Sequence, residues 1–114
     1  LRSVARYLDV HHATVSVFYT SNVEQYLFRP PDRNGGAWQR FYDNVAAMPI
    51  TGQSTFIRAF FNNQGRIMRI PDPQGAMLPA GPRSQTLLNP ISVLLGAYTE
   101  GHISNYYDVI ELSR

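Results

Sequence analysis

The chain has 114 residues, of which 44% are hydrophobic and 16% charged, and ten arginines stand against eight acidic residues. This length suits one domain or part of one, and so apolar a composition argues against disorder. No apolar run approaches the roughly 20 residues of a membrane-spanning helix, and the absence of cysteine excludes disulfides and thiol catalysis. The arginines are scattered, which gives no strong signal for nucleic-acid binding, and the absence of lysine excludes Schiff-base chemistry.

Residues 1–10 already follow a helical pattern. Their apolar side chains recur at the spacing of one helix face, at Leu1, Val4, Ala5 and Leu8. Because residue 1 is leucine and no initiator methionine, signal peptide or targeting segment comes before this helix, we expect a fragment of something longer. The prediction is that residues 1–114 form the C-terminal portion of a single α/β domain in a cytoplasmic protein.

The next segment, 13–19, is rich in β-branched and aromatic residues and predicts a strand buried on both faces. Thr20, Ser21 and Asn22 follow, and each is a favourable N-cap for a short helix over 23–28. A helix, a strand and a second helix joined by short turns are typical of an open parallel sheet.

After a polar loop over 29–36, an aromatic stripe at helical spacing predicts a further helix over 37–48. Its core face is expected to carry Trp38, Phe41 and Tyr42. A turn over 49–53 then leads to a predicted strand over 54–61, in which Arg58 is the only charged residue.

Residues 62–89 are the least regular part of the sequence. They allow a hairpin at 62–65 into a short strand over 66–70, followed by a loop rich in proline and glycine. Asn89 and Pro90 then form a favourable N-cap and first-turn pair for a helix over 90–99, which Gly101 ends. Alternating apolar residues predict a final strand over 105–112.

Glu24 is the acidic residue whose position most favours contact with a ligand. It lies in the first helical turn after a buried strand, and ligands of open α/β sheets bind outside the carboxyl ends of the strands. Ser21 and Asn22 share that position. The structural alternative is that an acid in the first turn simply stabilises the helix dipole.

Arg58 interrupts an apolar strand and must be paired if it points inward, because an unpaired buried charge is costly. It either binds an anionic ligand or forms a structural ion pair with Glu24 or Asp108, and the structural pair is the favoured interpretation. The adjacent pair His11 and His12 lacks a third ligand nearby, so we expect no metal site.

A resemblance adds to these observations. The stretch 13–28, which contains Ser-Asn-Val-Glu-Gln-Tyr, resembles the C-terminal part of a bacterial family of uncharacterised proteins. The order of later segments agrees, with Trp38 through Val45, then Ser54 through Arg58, then Tyr106 through Ile110. Proteins of that family are similar in fold to class I S-adenosylmethionine-dependent methyltransferases.

The resemblance implies a partial Rossmann-like sheet of the methyltransferase type, flanked by helices and belonging to a larger domain. It implies S-adenosylmethionine as a cofactor whose glycine-containing loop and acidic strand end are not in this sequence. No catalytic residue is carried over. The positions that match the family are Ser21, Asn22, Glu24, Tyr26 and Arg58, which are therefore the candidate ligand-binding residues.

Two functions remain open at this point. In the first, the full protein transfers a methyl group from S-adenosylmethionine to an unknown substrate, and this part supplies the substrate side of the cleft. In the second, the domain is a non-catalytic scaffold of the same fold that binds a ligand or partner. A hydrolase is disfavoured, because the segment 15–19 lacks the glycine-flanked nucleophile of a hydrolase elbow.

Overall fold

The computed structural model describes residues 1–28, 36–62 and 83–113. The elements follow one another in this order: helix α1 (Arg2–Val10), strand β1 (Val15–Ser21), helices α2 (Val23–Leu27) and α3 (Ala37–Ala46), strands β2 (Ile50–Asn62) and β3 (Arg83–Pro90), and helices α4 (Ile91–Thr99) and α5 (Tyr106–Glu111). The helices predicted over 1–10, 23–28, 37–48 and 90–99 are therefore confirmed, as are the strands over 13–19 and 54–61. Within the described ranges, no helix is long and apolar enough to cross a membrane.

The three strands form one mixed sheet in the order β1-β2-β3. Strand β1 runs parallel to β2, with Phe18 opposite Phe56, and β3 runs antiparallel to β2, with Leu87 opposite Arg58. The predicted α/β class is confirmed in this coarser form. The expectation of a parallel sheet holds for the β1–β2 pair and is wrong for β3.

One face of the sheet carries the core. Side chains of β2 that point to this face alternate along the strand and are buried at Phe56, Arg58 and Phe60. Helices α3, α4 and α5 pack over them. The apolar cluster that results contains Tyr42, Val45, Phe56, Phe60, Leu87, Ile91, Leu94, Ile103, Tyr106, Val109 and Ile110.

The opposite face of the sheet is open. On β1 the side chains of Val17 and Tyr19 are 54% and 63% exposed, and on β3 Leu88 is exposed as well. The prediction that 13–19 is buried on both faces is therefore wrong. Val15, Val17 and Tyr19 alternate along β1 and therefore share the open face, whereas Phe18 packs against the core on the face that the described helices cover.

The segment 105–112, predicted as a strand, is the helix α5. Asn105 caps it by accepting a hydrogen bond from the backbone N–H of Tyr107 at 2.8 Å, while the Asp108 carboxylate accepts one from the backbone N–H of Asn105 at 3.0 Å. This reciprocal capping box stabilises a helix start. The backbone hydrogen bond from Ser104 is the main cause that lowers the pKa of Asp108 below its usual range.

The third strand is β3, and its residues 83–89 lie in the segment predicted to be irregular over 62–89. That part of the prediction is wrong, because pairing with β2 imposes a strand on a sequence with little β propensity. The predicted hairpin at 62–65 and the short strand over 66–70 fall almost wholly outside the described residues. The predicted turn over 49–53 is also too long, since β2 begins at Ile50.

Helix α4 follows β3 directly. Pro90 is its N-cap rather than its first helical residue, and the Asn89 side chain is buried and donates to the carbonyl of Leu112 at 2.5 Å. The helix ends as predicted at Gly101, whose φ of 78° only glycine adopts without strain. The N–H of Gly101 bonds to the carbonyl of Tyr98, and that of His102 bonds to Ala97, which completes a Schellman end.

Candidate functional site

The candidate residues meet where β1 ends and α2 begins. Ser21 is the last residue of β1, Asn22 is the N-cap of α2, and Glu24 and Tyr26 lie within α2. Arg58 lies on the neighbouring strand β2, directly opposite Ser21 in the parallel register. The fold therefore brings all five predicted positions to one end of the β1–β2 pair.

Glu24 and Arg58 form a buried ion pair. Their exposed fractions are 1% and 0%, and the guanidinium contacts the carboxylate at two points. Nε of Arg58 donates to Oε2 of Glu24 at 2.5 Å, and Nη2 donates to Oε1 at 3.1 Å. Of the two structural partners considered for Arg58, the structure selects Glu24, because Asp108 caps α5 instead.

Two hydroxyl groups complete the surroundings of the carboxylate. The hydroxyl of Tyr42 donates to Oε1 of Glu24 at 2.7 Å, and the hydroxyl of Thr20 donates to Oε2 at 3.0 Å. Each carboxylate oxygen thus accepts two hydrogen bonds, so Glu24 has no further lone pair to offer to another donor. The guanidinium carbon of Arg58 also lies 4.5 Å from the centre of the Phe56 ring, a cation–π arrangement. Glu24 is consequently part of the core rather than a group offered to a ligand.

Tyr42 also belongs to this hydrogen-bonded network, a role that the sequence pattern did not predict. Its place in an aromatic stripe predicted a core side chain, and it is indeed fully buried. The available signal was its hydroxyl group, since a buried tyrosine ordinarily needs a hydrogen-bond partner and Phe41 in the same stripe does not. That partner is Glu24, supplied from a different helix.

Two tyrosines near the ion pair are held in their neutral form. Burial, and then the adjacent Glu24 carboxylate, raise the pKa of Tyr42 well above its usual range. Burial is also the main cause that raises the pKa of Tyr106 to about 12, with Glu24 acting in the same direction and Arg58 against it. The hydroxyl of Tyr106 has no hydrogen-bond partner within the described part of the chain.

We therefore expect the free energy of unfolding to fall at alkaline pH. In the unfolded chain tyrosine ionises near pH 10, whereas Tyr42 and Tyr106 keep their protons in the folded state above that pH. The stabilisation is complete below about pH 10 and is lost as the pH rises, for Tyr106 up to about 12. Urea unfolding between about pH 9 and about pH 11 measures this loss.

The chain has no lysine, so tyrosine is the main side chain that titrates in this interval. In Tyr42→Phe the decline with pH should be shallower than in the parent protein. The control is Tyr7→Phe, which removes a tyrosine hydroxyl that is exposed and lies outside the buried network. An unfolding free energy that stays constant across the interval would contradict the burial of neutral tyrosines.

Ser21 and Asn22 differ from Glu24, whose carboxylate is fully hydrogen-bonded. Both are half-buried, and neither side chain makes a hydrogen bond within the described residues. Ser21 has a φ of 52°, a left-handed conformation that is uncommon for serine and costs roughly 1–3 kcal/mol. The β1–β2 register also shifts between Tyr19 and Ser21, which turns the chain away from the sheet. Tyr26 lies further along α2 and is exposed.

A groove lies away from the predicted site residues, and the described residues form no metal site. A groove of about 560 Å³ between α1 and α3 is lined by Arg2, Ala5, Arg6, Asp9, Asp43, Ala47, Met48 and Pro49, and it contains none of the predicted residues. Within residues 1–28, 36–62 and 83–113, no group of three or more histidine, aspartate or glutamate side chains is placed to hold a metal ion.

Glu24 has no free oxygen to offer a ligand. The resemblance places the acidic strand end of the cofactor site outside this sequence, so Glu24 at the end of β1 is not expected to be that acid. Its carboxylate is saturated by Arg58, Tyr42 and Thr20, so it has no oxygen free for a ribose hydroxyl. No step of the function proposed below therefore passes through Glu24.

Comparison with known proteins gives one relationship. A search of curated proteins finds no match to this sequence. A family model described as a domain of unknown function, DUF7790, matches residues 1–80, which contain α1 to α3, β1 and β2. The match covers more than half of the 114 residues and includes every predicted site residue. The chain belongs to the DUF7790 family.

Proposed function

We propose that Ser21 and Asn22 contact a small polar ligand at the carboxyl end of β1. The observation that carries this proposal is the strained backbone of Ser21, whose hydroxyl, like the neighbouring amide of Asn22, makes no hydrogen bond within the described residues. Strained conformations persist where the surrounding structure enforces them, and they occur often at functional sites. The Glu24–Arg58 pair supplies that enforcement, because it joins α2 to β2 directly beneath these residues.

The position of Ser21 and Asn22 agrees with a ligand role. In open α/β sheets the crevice outside the carboxyl ends of parallel strands is where ligands bind. Strands β1 and β2 are parallel, and β1 ends at Ser21. A hydroxyl and an amide each donate and accept hydrogen bonds, so they suit a neutral polar group such as an alcohol or an amide.

The reaction that we propose for the whole domain is methyl transfer from S-adenosylmethionine. Such a transfer depends mainly on holding the acceptor close to the methyl donor and in line with it, which Ser21 and Asn22 would support by orienting the acceptor. The cofactor would be held by other residues of the domain. This proposal rests on the resemblance to methyltransferase-like proteins and on the strand-end position of the two polar residues.

The first test is a calorimetric titration of S-adenosylmethionine and S-adenosylhomocysteine into the full-length protein. Methyl transfer requires binding of at least one of them at a dissociation constant in the micromolar range, about −8 kcal/mol. No heat of binding at about 1 mM ligand, or about −4 kcal/mol, would remove methyl transfer from consideration.

A second experiment tests the ligand role of Asn22. Replacing Asn22 with alanine should leave the free energy of unfolding within about 1 kcal/mol, because its side chain makes no capping hydrogen bond. The same variant should weaken binding of a small alcohol or amide by about tenfold, about 1.4 kcal/mol, in a screen followed by amide chemical shifts. Asn44→Ala is the matched control, since Asn44 lies on α3 and its side chain accepts a hydrogen bond from Arg2. Equal effects of the two variants on binding would count against the site.

A non-catalytic scaffold is the second candidate. The saturated carboxylate of Glu24 favours it, because the acid at this strand end has no oxygen free to act on a substrate. In that case the full-length protein binds neither cofactor form, yet Asn22→Ala still weakens binding of a polar ligand. The two titrations together therefore separate an enzyme from a binding module.

A further inference from the structure

The groove between α1 and α3 has an apolar floor. Ala5 on α1 and Met48 shortly after α3 are buried beneath it, and Ala47 and Pro49 extend the same floor. Its volume of about 560 Å³ is typical of small-molecule sites, which combine an apolar lining with a few polar groups that orient the ligand. A ligand that fills this groove therefore places an apolar body against the floor.

Two arginines of α1 line the same groove. Arg2 and Arg6 are one helical turn apart, so both lie on the side of α1 that faces α3. Like charges at this spacing repel each other and destabilise a helix slightly unless an acid offsets them. In the part of the chain that the structure describes, neither arginine forms an ion pair. Arg2 donates instead to the amide oxygen of Asn44 at 3.0 Å.

Two carboxylates also line the groove, yet neither neutralises the arginines. Asp9 follows Arg6 by three residues on the same helix, a spacing that suits an ion pair, but the two side chains form none. Asp43 on α3 accepts a hydrogen bond from the hydroxyl of Tyr98 at 2.8 Å, which directs that oxygen toward α4. The groove therefore presents two arginines without an acidic partner, while its two acids limit the negative charge that a ligand can carry.

We infer that this groove binds a small monocarboxylate with an apolar body. The guanidinium of Arg6 presents paired donors that match a carboxylate, and Arg2 adds a second positive charge beside it. The apolar body of the ligand lies on the floor. A phosphate monoester, with a charge of about −1.5 to −2 at neutral pH, is repelled more strongly by Asp9 and Asp43. A neutral ligand leaves the arginines without an anionic partner.

This site is separate from the strand end that carries Ser21 and Asn22. The backbone N–H of Val15 bonds to the carbonyl of Pro49 at 2.9 Å, so the groove lies at the amino end of the β1–β2 pair. Ser21 ends β1 at the opposite, carboxyl end, roughly 20 Å along the strand. A ligand in the groove does not reach Ser21 or Asn22, so the two ligand proposals fail independently.

Hexanoate is the probe, because its acid group and short alkyl chain match the two parts of the groove. Titration into the protein, followed by backbone amide chemical shifts, should give a dissociation constant of about 0.1–1 mM, as expected for so small a ligand. The shifts should concentrate on α1 and the end of α3. Hexanamide has the same shape without the charge, and acetate has the charge without the chain. Each should bind at least about tenfold more weakly.

Charge variants test whether the arginines hold the acid group. Arg6→Gln should weaken hexanoate binding about tenfold, and Asp9→Asn should strengthen it about threefold, because it removes a repelling charge. Both side chains are exposed, so circular dichroism should show unchanged folding. Glu111→Gln is the matched control for Asp9→Asn, since it removes an equal charge from an exposed position of α5 outside the groove. Equal effects of these two variants would contradict the proposal.

The floor is tested by Ala47→Asp, whose carboxylate enters the groove and should abolish measurable binding of hexanoate. Ala46→Asp is its control, because Ala46 is also exposed at the end of α3 but lies outside the groove. Both changes place an acid at the same helix end, so their costs in stability should be similar. The absence of chemical-shift changes at about 10 mM hexanoate would overturn the proposal. So would hexanamide or inorganic phosphate binding as tightly as hexanoate.

Discussion

In Arg58→Met we expect the free energy of unfolding to fall by about 3–5 kcal/mol, the usual cost of removing one partner of a buried ion pair. The loss arises because the Glu24 carboxylate stays buried with only the hydroxyls of Tyr42 and Thr20 as donors. Urea unfolding followed by circular dichroism measures it. The matched control is Arg6→Met, because Arg6 is an exposed arginine of α1, and its replacement should change stability by less than about 0.5 kcal/mol.

Removing both partners should cost less than removing one. In the double variant Glu24→Leu with Arg58→Met, no charge remains buried, and apolar replacement of a whole pair is often neutral or stabilising by about 1–4 kcal/mol. Tyr42 then loses its acceptor, so Tyr42→Phe is added to complete the replacement. If Arg58→Met alone is as stable as Arg6→Met, the buried pair does not hold α2 to β2 in solution.

The second large effect is expected for Phe56→Ala, at about 3–5 kcal/mol of lost stability. Phe56 is completely buried at the centre of the sheet, with its ring 5.6 Å from that of Phe18, and the cavity left by its removal has helices on one side and the sheet on the other. The alanine variant also removes the ring beneath the Arg58 guanidinium. Thermal and urea unfolding both report the change.

Phe61→Ala provides the internal comparison for Phe56→Ala. The two phenylalanines lie on the same strand but point to opposite faces, and Phe61 is only half-buried. Its replacement should cost about 1 kcal/mol. Comparable losses in the two variants would mean that both faces of β2 are covered and would contradict the open face.

Much of this fold follows from local sequence patterns. The apolar spacing of α1 and α3 predicts both helices, and the β-branched run before Ser21 predicts β1. Gly101 predicts the end of α4 because it supplies a left-handed residue there. In each case the information lies within one turn or a few strand positions, which is the range over which sequence periodicity is reliable.

The two wrong elements have different causes. Tyr106, Tyr107, Val109 and Ile110 are aromatic or β-branched, so their propensity favours a strand, but the capping box of Asn105 and Asp108 starts a helix instead. That motif was present in the sequence and was the stronger signal. Strand β3 could not be found in this way, because its residues become a strand through long-range pairing with β2.

The sequence predicts where the candidate site lies in the chain, but it predicts only some of the contacts that its side chains make. A lone arginine in an apolar strand predicts a buried partner, and Glu24 is that partner. The sequence could not show that Tyr42 and Thr20 would saturate the carboxylate, since these residues meet only in three dimensions. Nor could it show the left-handed backbone at Ser21, which follows from the register shift at the end of β1.

The parallel pairing of β1 with β2 has a consequence for the time course of folding. It joins Val15 to Ile50 and Tyr19 to Ile57, so each contact closes a loop of more than thirty residues. The entropy of that closure is lost before the ladder of hydrogen bonds forms, and high contact order of this kind slows folding. During synthesis β1 stays without its partner strand until β2 has left the ribosome, and unpaired strands with apolar side chains are prone to aggregate in that interval.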